Sequence, residues 1–97
     1  MEVIIRNNAG LSNKYIRFIK WKMYSLKEKF NELLYVEVFL NKEGGDPGEY
    51  LSNIRLGLTG HDLILKNKSD NAWKLLYSAE RNARLRLAIA KKSRADF

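Results

Sequence analysis

The side chains on which chemistry usually rests are few in this chain. It has no cysteine, which excludes disulfides and thiolate metal sites and suits a reducing compartment. Its one histidine, His61, sits in a Gly60-His61 turn beside Asp62, with no second metal ligand close in sequence, so it reads as a turn residue. Glu37, Glu43 and Glu49 fall at hairpin or exposed-strand positions without an evident partner for acid–base work. Gly44-Gly45 has no helix behind it to hold a phosphate, and the chain contains no Walker-type loop, zincin helix or nucleophile elbow. The expectation is therefore no catalytic residue, no metal, no cofactor and no enzymatic activity.

Binding is the chemistry that the composition does support. Eighteen Lys and Arg face eleven Asp and Glu in 97 residues, a formal charge of +7 that favours a polyanionic partner. The charge is one-sided along the chain. From Ser12 to Phe30, six bases (Lys14, Arg17, Lys20, Lys22, Lys27, Lys29) meet the single acid Glu28, a balance of +5. From Asp70 to Phe97, seven bases (Lys74, Arg81, Arg84, Arg86, Lys91, Lys92, Arg94) meet Asp70, Glu80 and Asp96, a balance of +4. The remaining five bases and seven acids give −2. Lysines on one amphipathic helix are usually just solvated, but two adjacent basic helices form a surface that suits phosphate backbones.

The elements that must position these bases follow from periodicity. Glu2 to Arg6 is a short β-branched strand closed by Asn7, Asn8 and Gly10. Ser12 is placed as an N-cap, with Leu11 and Ile16 as a hydrophobic staple, and Tyr15, Ile19, Met23, Leu26 and Phe30 recur at helical spacing. This first helix is expected from about Ser12 to about Asn31. Leu34, Val36, Val38 and Leu40 alternate with Tyr35, Glu37 and Phe39 as a second strand, and Asn41 to Gly48 is read as its hairpin loop. Tyr50 to Thr59 alternates again, with Ile54, Leu56 and Leu58 inward; after a Gly60-His61 turn, Leu63 to Lys66 makes a fourth strand. Ser69 or Asp70 is expected to cap a last helix whose stripe is Ala72, Leu76, Ala79, Ala83, Leu87 and Ala90, widened by Trp73 and Leu75. The fold expected is α+β, in the order β-α-β-β-β-α, a four-stranded sheet with two helices packed on one face.

Residues 1–97 fit one domain, since no repeat, linker or low-complexity stretch divides them. No apolar run reaches the roughly 20 residues of a membrane span and no signal peptide opens the chain, so a cytoplasmic protein without a membrane partner is expected. Tyr35 and Phe39 fall on the sheet face away from the helices, where they would stack on bases or meet a second molecule. Glu37 between them repels phosphate and argues either for a protein contact, such as weak self-association, or for an incidental exposed pair. Trp21 and Tyr24 lie off the buried stripe and are expected to flank the core.

This order of elements resembles the family of ribosome hibernation-promoting factors and ribosome-associated translation inhibitors, across nearly the whole chain. Leu26-Lys27-Glu28-Lys29-Phe30 is similar to the family's pattern at the end of its first helix, and Ser69-Asp70-Asn71-Ala72-Trp73 to the opening of its second, with Trp73 where tyrosine is usual. Lys74-Leu75-Leu76 and the basic run Arg81 to Arg86 continue the likeness, although Leu85 stands where a base is common. The resemblance implies binding to the small ribosomal subunit in the channel used by messenger and transfer RNA. It also implies that Lys20, Lys22, Lys27, Lys29, Lys74, Arg81, Arg84 and Lys91 contact ribosomal RNA. Because the chain stops soon after its second helix, it looks like a short, single-domain form. Three other readings are weighed beside this one. A double-stranded RNA-binding domain would begin with a helix rather than a strand; a generic structured-RNA-binding domain would bind without preference for the ribosome. A protein-assembly module would pair through Tyr35 and Phe39 and lose self-association, but not RNA binding, when both become serine.

Overall fold

The computed structural model describes residues 1–45 and 47–95. Asp46, expected in the hairpin loop, and Asp96 and Phe97, counted with the second basic segment, lie outside the described residues. The elements are β1 (Glu2–Asn7), α1 (Asn13–Lys29), β2 (Tyr35–Glu43), β3 (Glu49–Leu58), β4 (His61–Ser69) and α2 (Ala72–Ala95). The strands form one four-stranded sheet in chain order, β1 parallel to β2 and the rest antiparallel. A parallel pair needs a crossover element, which α1 supplies. The α+β order read from the sequence is the order the chain adopts.

Period-two alternation decides which face is covered. Val36, Val38 and Leu40 of β2, Ile54 and Leu56 of β3, and Leu65 of β4 are buried on one face. Ile19, Met23 and Leu26 of α1 close over them, together with Leu75, Leu76, Ala79, Ala83 and Leu87 of α2. α1 lies against β1, and α2 against β3 and β4. The alanines of α2 let its backbone approach the sheet, and each fully buried leucine or isoleucine contributes about 2 kcal/mol of transfer free energy. Asn7 fixes the entry into α1: its Nδ2 donates to the Leu11 carbonyl, and its Oδ1 accepts from the N–H groups of Ala9 and Leu11.

Among the described residues no helix lies on the opposite sheet face. There Tyr35 pairs in register with Gly57, Glu37 with Arg55, and Phe39 with Asn53. Gly57 is buried although it lies on the open face, because the Tyr35 ring covers it: a Cβ at Gly57 would stand 2.1 Å from that ring. Tyr35 Oη donates a 2.8 Å hydrogen bond to Asp62 Oδ2, and Arg55 Nε stands 4.0 Å from the same carboxylate oxygen. That hydrogen bond, reinforced by burial, raises the Tyr35 phenol above its ordinary pKa of 10.0.

Local details differ from the sequence expectation at five places. Leu34 precedes β2 and is 51% exposed, whereas Leu33, unassigned by the alternation, is fully buried. The chain turns sharply after α1, with the Leu33 N–H donating to the Phe30 carbonyl, so the pleat begins only at Tyr35. The hairpin loop is shorter than Asn41 to Gly48, because β2 and β3 stay paired out to Glu43 and Glu49. The last turn is Thr59-Gly60, where Gly60 takes φ +87°; His61 already pairs with Leu58 as the first residue of β4, which runs on to Ser69. α2 is capped by Asn71: its Oδ1 accepts from the Lys74 N–H at 3.1 Å, while Ser69 Oγ accepts from the Asn71 N–H one step earlier. Finally, Trp21 and Tyr24 are 62% and 43% exposed and do not flank the core. Ser12 does occupy the N-cap of α1, but its hydroxyl makes no cap hydrogen bond.

Candidate nucleic-acid interface

The eight basic residues implicated by sequence fall into four pairs, each spaced by seven residues: Lys20 and Lys27, Lys22 and Lys29, Lys74 and Arg81, Arg84 and Lys91. Seven residues are nearly two helical turns, so each pair forms a short stripe about 10 Å long. The geometry of the two helices decides how the stripes combine. Phe18, early in α1, packs on Trp73 and Tyr77, early in α2; Lys91, late in α2, donates to the Lys29 carbonyl at the end of α1. The helices therefore run parallel, and their second halves lie side by side.

Between those halves is a groove of about 300 Å³ lined by Lys22, Ser25, Leu26 and Lys29 of α1 and Glu80 and Arg84 of α2. The stripe Lys22–Lys29 thus faces the stripe that begins at Arg84. One acid tempers it: Glu80 holds Arg84 in an i,i+4 pair at 3.1 Å, which orients the guanidinium at a gain of only about 0.3–0.5 kcal/mol. The Lys91 ammonium also lies 6.0 Å from the Phe30 ring centroid, so it staples the two helix ends together while keeping its charge at the groove's end. Cations gathered at helix C-termini are favourable to the fold as well, since the dipole there is negative.

The other stripes are not in the groove. Lys20 and Lys27 are two positions removed from Lys22 and Lys29, a rotation of about 160° around the helix, and so occupy the far flank of α1. Lys27 is committed to structure: its Nζ donates to the carbonyls of Asn31 and Leu33, the latter at 2.8 Å, satisfying carbonyls in the turn after α1. Lys74 and Arg81 are exposed along the outer crest of α2.

Sequence reasoning missed an aromatic cluster at the other end of the helix pair. Tyr15 lies 4.4 Å from Trp73, Phe18 lies 5.3 Å from Trp73 and 5.0 Å from Tyr77, all between ring centroids. The signal was present as Phe18, on the flank of the first stripe, followed at i+4 by Lys22, and Trp73, which widens the second stripe, followed at i+4 by Tyr77. His61 is exposed, and among the described residues no three His, Cys, Asp or Glu side chains gather as a metal site requires. No helix among the described residues is long and apolar enough to cross a membrane.

Fold and surface together define an α+β domain that presents a cationic helix pair on one side and an open sheet on the other. In particular, the fold is that of two solved structures. One is a ribosomal subunit interface protein from Coxiella burnetii, 12% identical, with a TM-score of 0.80 over 95% of this chain and 99% of that one. The other is the N-terminal domain of Thermus thermophilus Protein Y, 14% identical, with a TM-score of 0.69 over 89% of this chain and 91% of that one. No protein-family model and no curated protein matches the chain. The resemblance read in the sequence thus holds in the fold, with few identical residues behind it.

Proposed function

We propose that this chain is a ribosome-associated translation inhibitor, a hibernation factor that seats its basic helical face on small-subunit ribosomal RNA and blocks the channel of messenger and transfer RNA. The observation that carries the reading is the parallel helix pair, which faces Lys22 and Lys29 across a groove from Arg84 on a fold shared with a ribosomal subunit interface protein. Lys20, Lys74, Arg81 and Lys91 extend the phosphate-contacting surface beyond the groove, and Lys27 serves first as a helix cap. Such a surface reads shape and phosphate rather than base sequence. Occupancy is itself the inhibition, so the role needs no reaction, metal or cofactor, and a single domain in the cytoplasm suffices.

Cosedimentation with isolated small and large ribosomal subunits across a salt series tests this. Wild-type protein is expected to pellet with the small subunit and to dissociate steeply as salt rises. A variant with Lys22→Glu, Lys29→Glu and Arg84→Glu is expected to stay in the supernatant. No small-subunit binding at low salt would refute the reading, and equal binding to unrelated structured RNA would reduce it to a generic RNA-binding domain. A second reading rests on the uncovered sheet face, where Ile64 is exposed and Tyr35 and Phe39 are half-buried. If that face supports weak self-association, Tyr35→Ser with Phe39→Ser abolishes it in analytical ultracentrifugation and leaves RNA binding intact.

A further inference from the structure

We infer that the first halves of α1 and α2 form a stacking platform for unpaired RNA bases, distinct from the phosphate groove at their second halves. The inference rests on the RNA-binding reading above and adds to it a second kind of contact. Its basis is where the aromatic rings are spent. Phe18 and Trp73 are half-buried and pack against the core, so they are needed by the fold. Trp21 and Tyr77 are not: they are 62% and 56% exposed and contribute little to the interior. Yet both are attached to the same cluster. Tyr77 packs on Phe18 at 5.0 Å, and the Lys22 ammonium stands between the rings of Phe18 and Trp21, 5.8 Å from one centroid and 4.8 Å from the other. Large exposed rings, held by neighbours and interleaved with a cation, are what a splayed-out nucleotide recognises: the base stacks on a ring while the ammonium meets the adjoining phosphate.

The charge around the platform favours RNA over an apolar protein partner. Lys22 belongs both to this cluster and to the groove, so a strand whose bases stack at Trp21 and Tyr77 continues directly past Lys29 and Arg84. A paired duplex offers no free base face at its side, so the platform selects loops, bulges or single strands, and the groove alone serves a duplex. Two binding modes at two ends of one helix pair would let the protein prefer a junction of paired and unpaired RNA.

The test is fluorescence and affinity with two defined RNAs, an unstructured 12-nucleotide oligoribonucleotide and a blunt duplex, using Trp73→Phe protein so that Trp21 is the only tryptophan. The oligoribonucleotide is expected to quench Trp21 emission and the duplex to leave it unchanged. In the wild-type background, Trp21→Ala and Tyr77→Ala are each expected to weaken oligoribonucleotide binding about ten-fold without changing the slope of affinity against salt. Trp21→Phe should restore most of the loss, and circular dichroism should show native helicity for every variant, since Trp21 and Tyr77 are exposed and Trp73→Phe keeps an aromatic ring in the cluster. Unchanged oligoribonucleotide affinity in both alanine variants overturns the inference. The two readings can fail separately: small-subunit binding that is indifferent to Trp21→Ala and Tyr77→Ala removes the platform and leaves the ribosome reading standing. Quenching by the oligoribonucleotide without any small-subunit binding does the reverse.

Discussion

Gly57 and Tyr35 show how one residue type on the open sheet face constrains its neighbour. A strand interior disfavours glycine, yet here the missing side chain is the space in which the Tyr35 ring lies, so the aromatic supplies the cover that the glycine lacks. Gly57→Ala puts a methyl where the ring sits. The ring must swing away, losing both that packing and its hydrogen bond to Asp62. The expected cost is about 2 kcal/mol in denaturant unfolding. With Tyr35→Ala already in place, Gly57→Ala should cost little, because neighbours that share a contact are not additive. The same contact has a proton-linked signature. A raised phenol pKa means that the folded state holds the proton more tightly than the unfolded state. The stabilisation is therefore complete below the ordinary value of 10.0 and disappears as pH rises through the higher folded value. Asp62→Asn removes the largest cause of the shift, so NMR titration should find the Tyr35 phenol ionising at lower pH than in wild type. A phenol that titrates identically in the two proteins would mean that the hydrogen bond does not form in solution.

At the scale of the elements, the two helix starts look alike in sequence and differ in physics. Ser12 has the cap position and the extended backbone of a cap, but its hydroxyl makes no cap bond, whereas Asn71 holds the Lys74 N–H. Asn71→Ala should therefore cost about 1 kcal/mol, which in a domain of this size is roughly 4–8 °C in Tm. Ser12→Ala should stay within about 0.5 kcal/mol of wild type. Thermal melts that rank the two variants the other way would contradict these cap assignments. The same contrast shows what periodicity makes legible. Ile19, Met23 and Leu26, or Val36, Val38 and Leu40, announce their buried face through spacing alone, because a helix or a pleat repeats its environment. Ends of elements carry no such repeat. Leu33 and Leu34 are chemically identical neighbours, and only the tertiary turn after α1 decides which is buried; Ser69, Asp70 and Asn71 are all good caps, and only the path out of β4 selects Asn71. The candidate site divides in the same way. Its lysines and arginines are visible in the sequence as a charge bias, but the parallel setting of α1 and α2 is a long-range fact. Without it, Lys22 and Lys29 cannot be told from Lys20 and Lys27, nor can Phe18 and Tyr77 be seen to meet.

For the molecule as a whole, the RNA binding proposed above has two competing explanations, total charge and the placement of charge. A chain at +7 attracts any polyanion at long range, and that attraction alone would be blind to which bases supply it. The structure separates the two, because it offers lysines on opposite surfaces. Lys22 and Lys29 line the groove between the helices, while Lys66 and Lys68 of β4 are exposed on the open sheet face, each alternating with a residue turned toward the helices. Reversing either pair to glutamate lowers the formal charge from +7 to +3, so the two variants are matched in net charge and differ only in where the field is changed. If the helical face is the binding surface, Lys22→Glu with Lys29→Glu should abolish small-subunit binding at moderate salt and flatten its salt dependence, since phosphate contacts set that slope. Lys66→Glu with Lys68→Glu should slow association modestly and leave both the slope and the bound fraction close to wild type. Equal losses in the two variants would show that affinity follows total charge, and the groove would then have no special claim to the RNA.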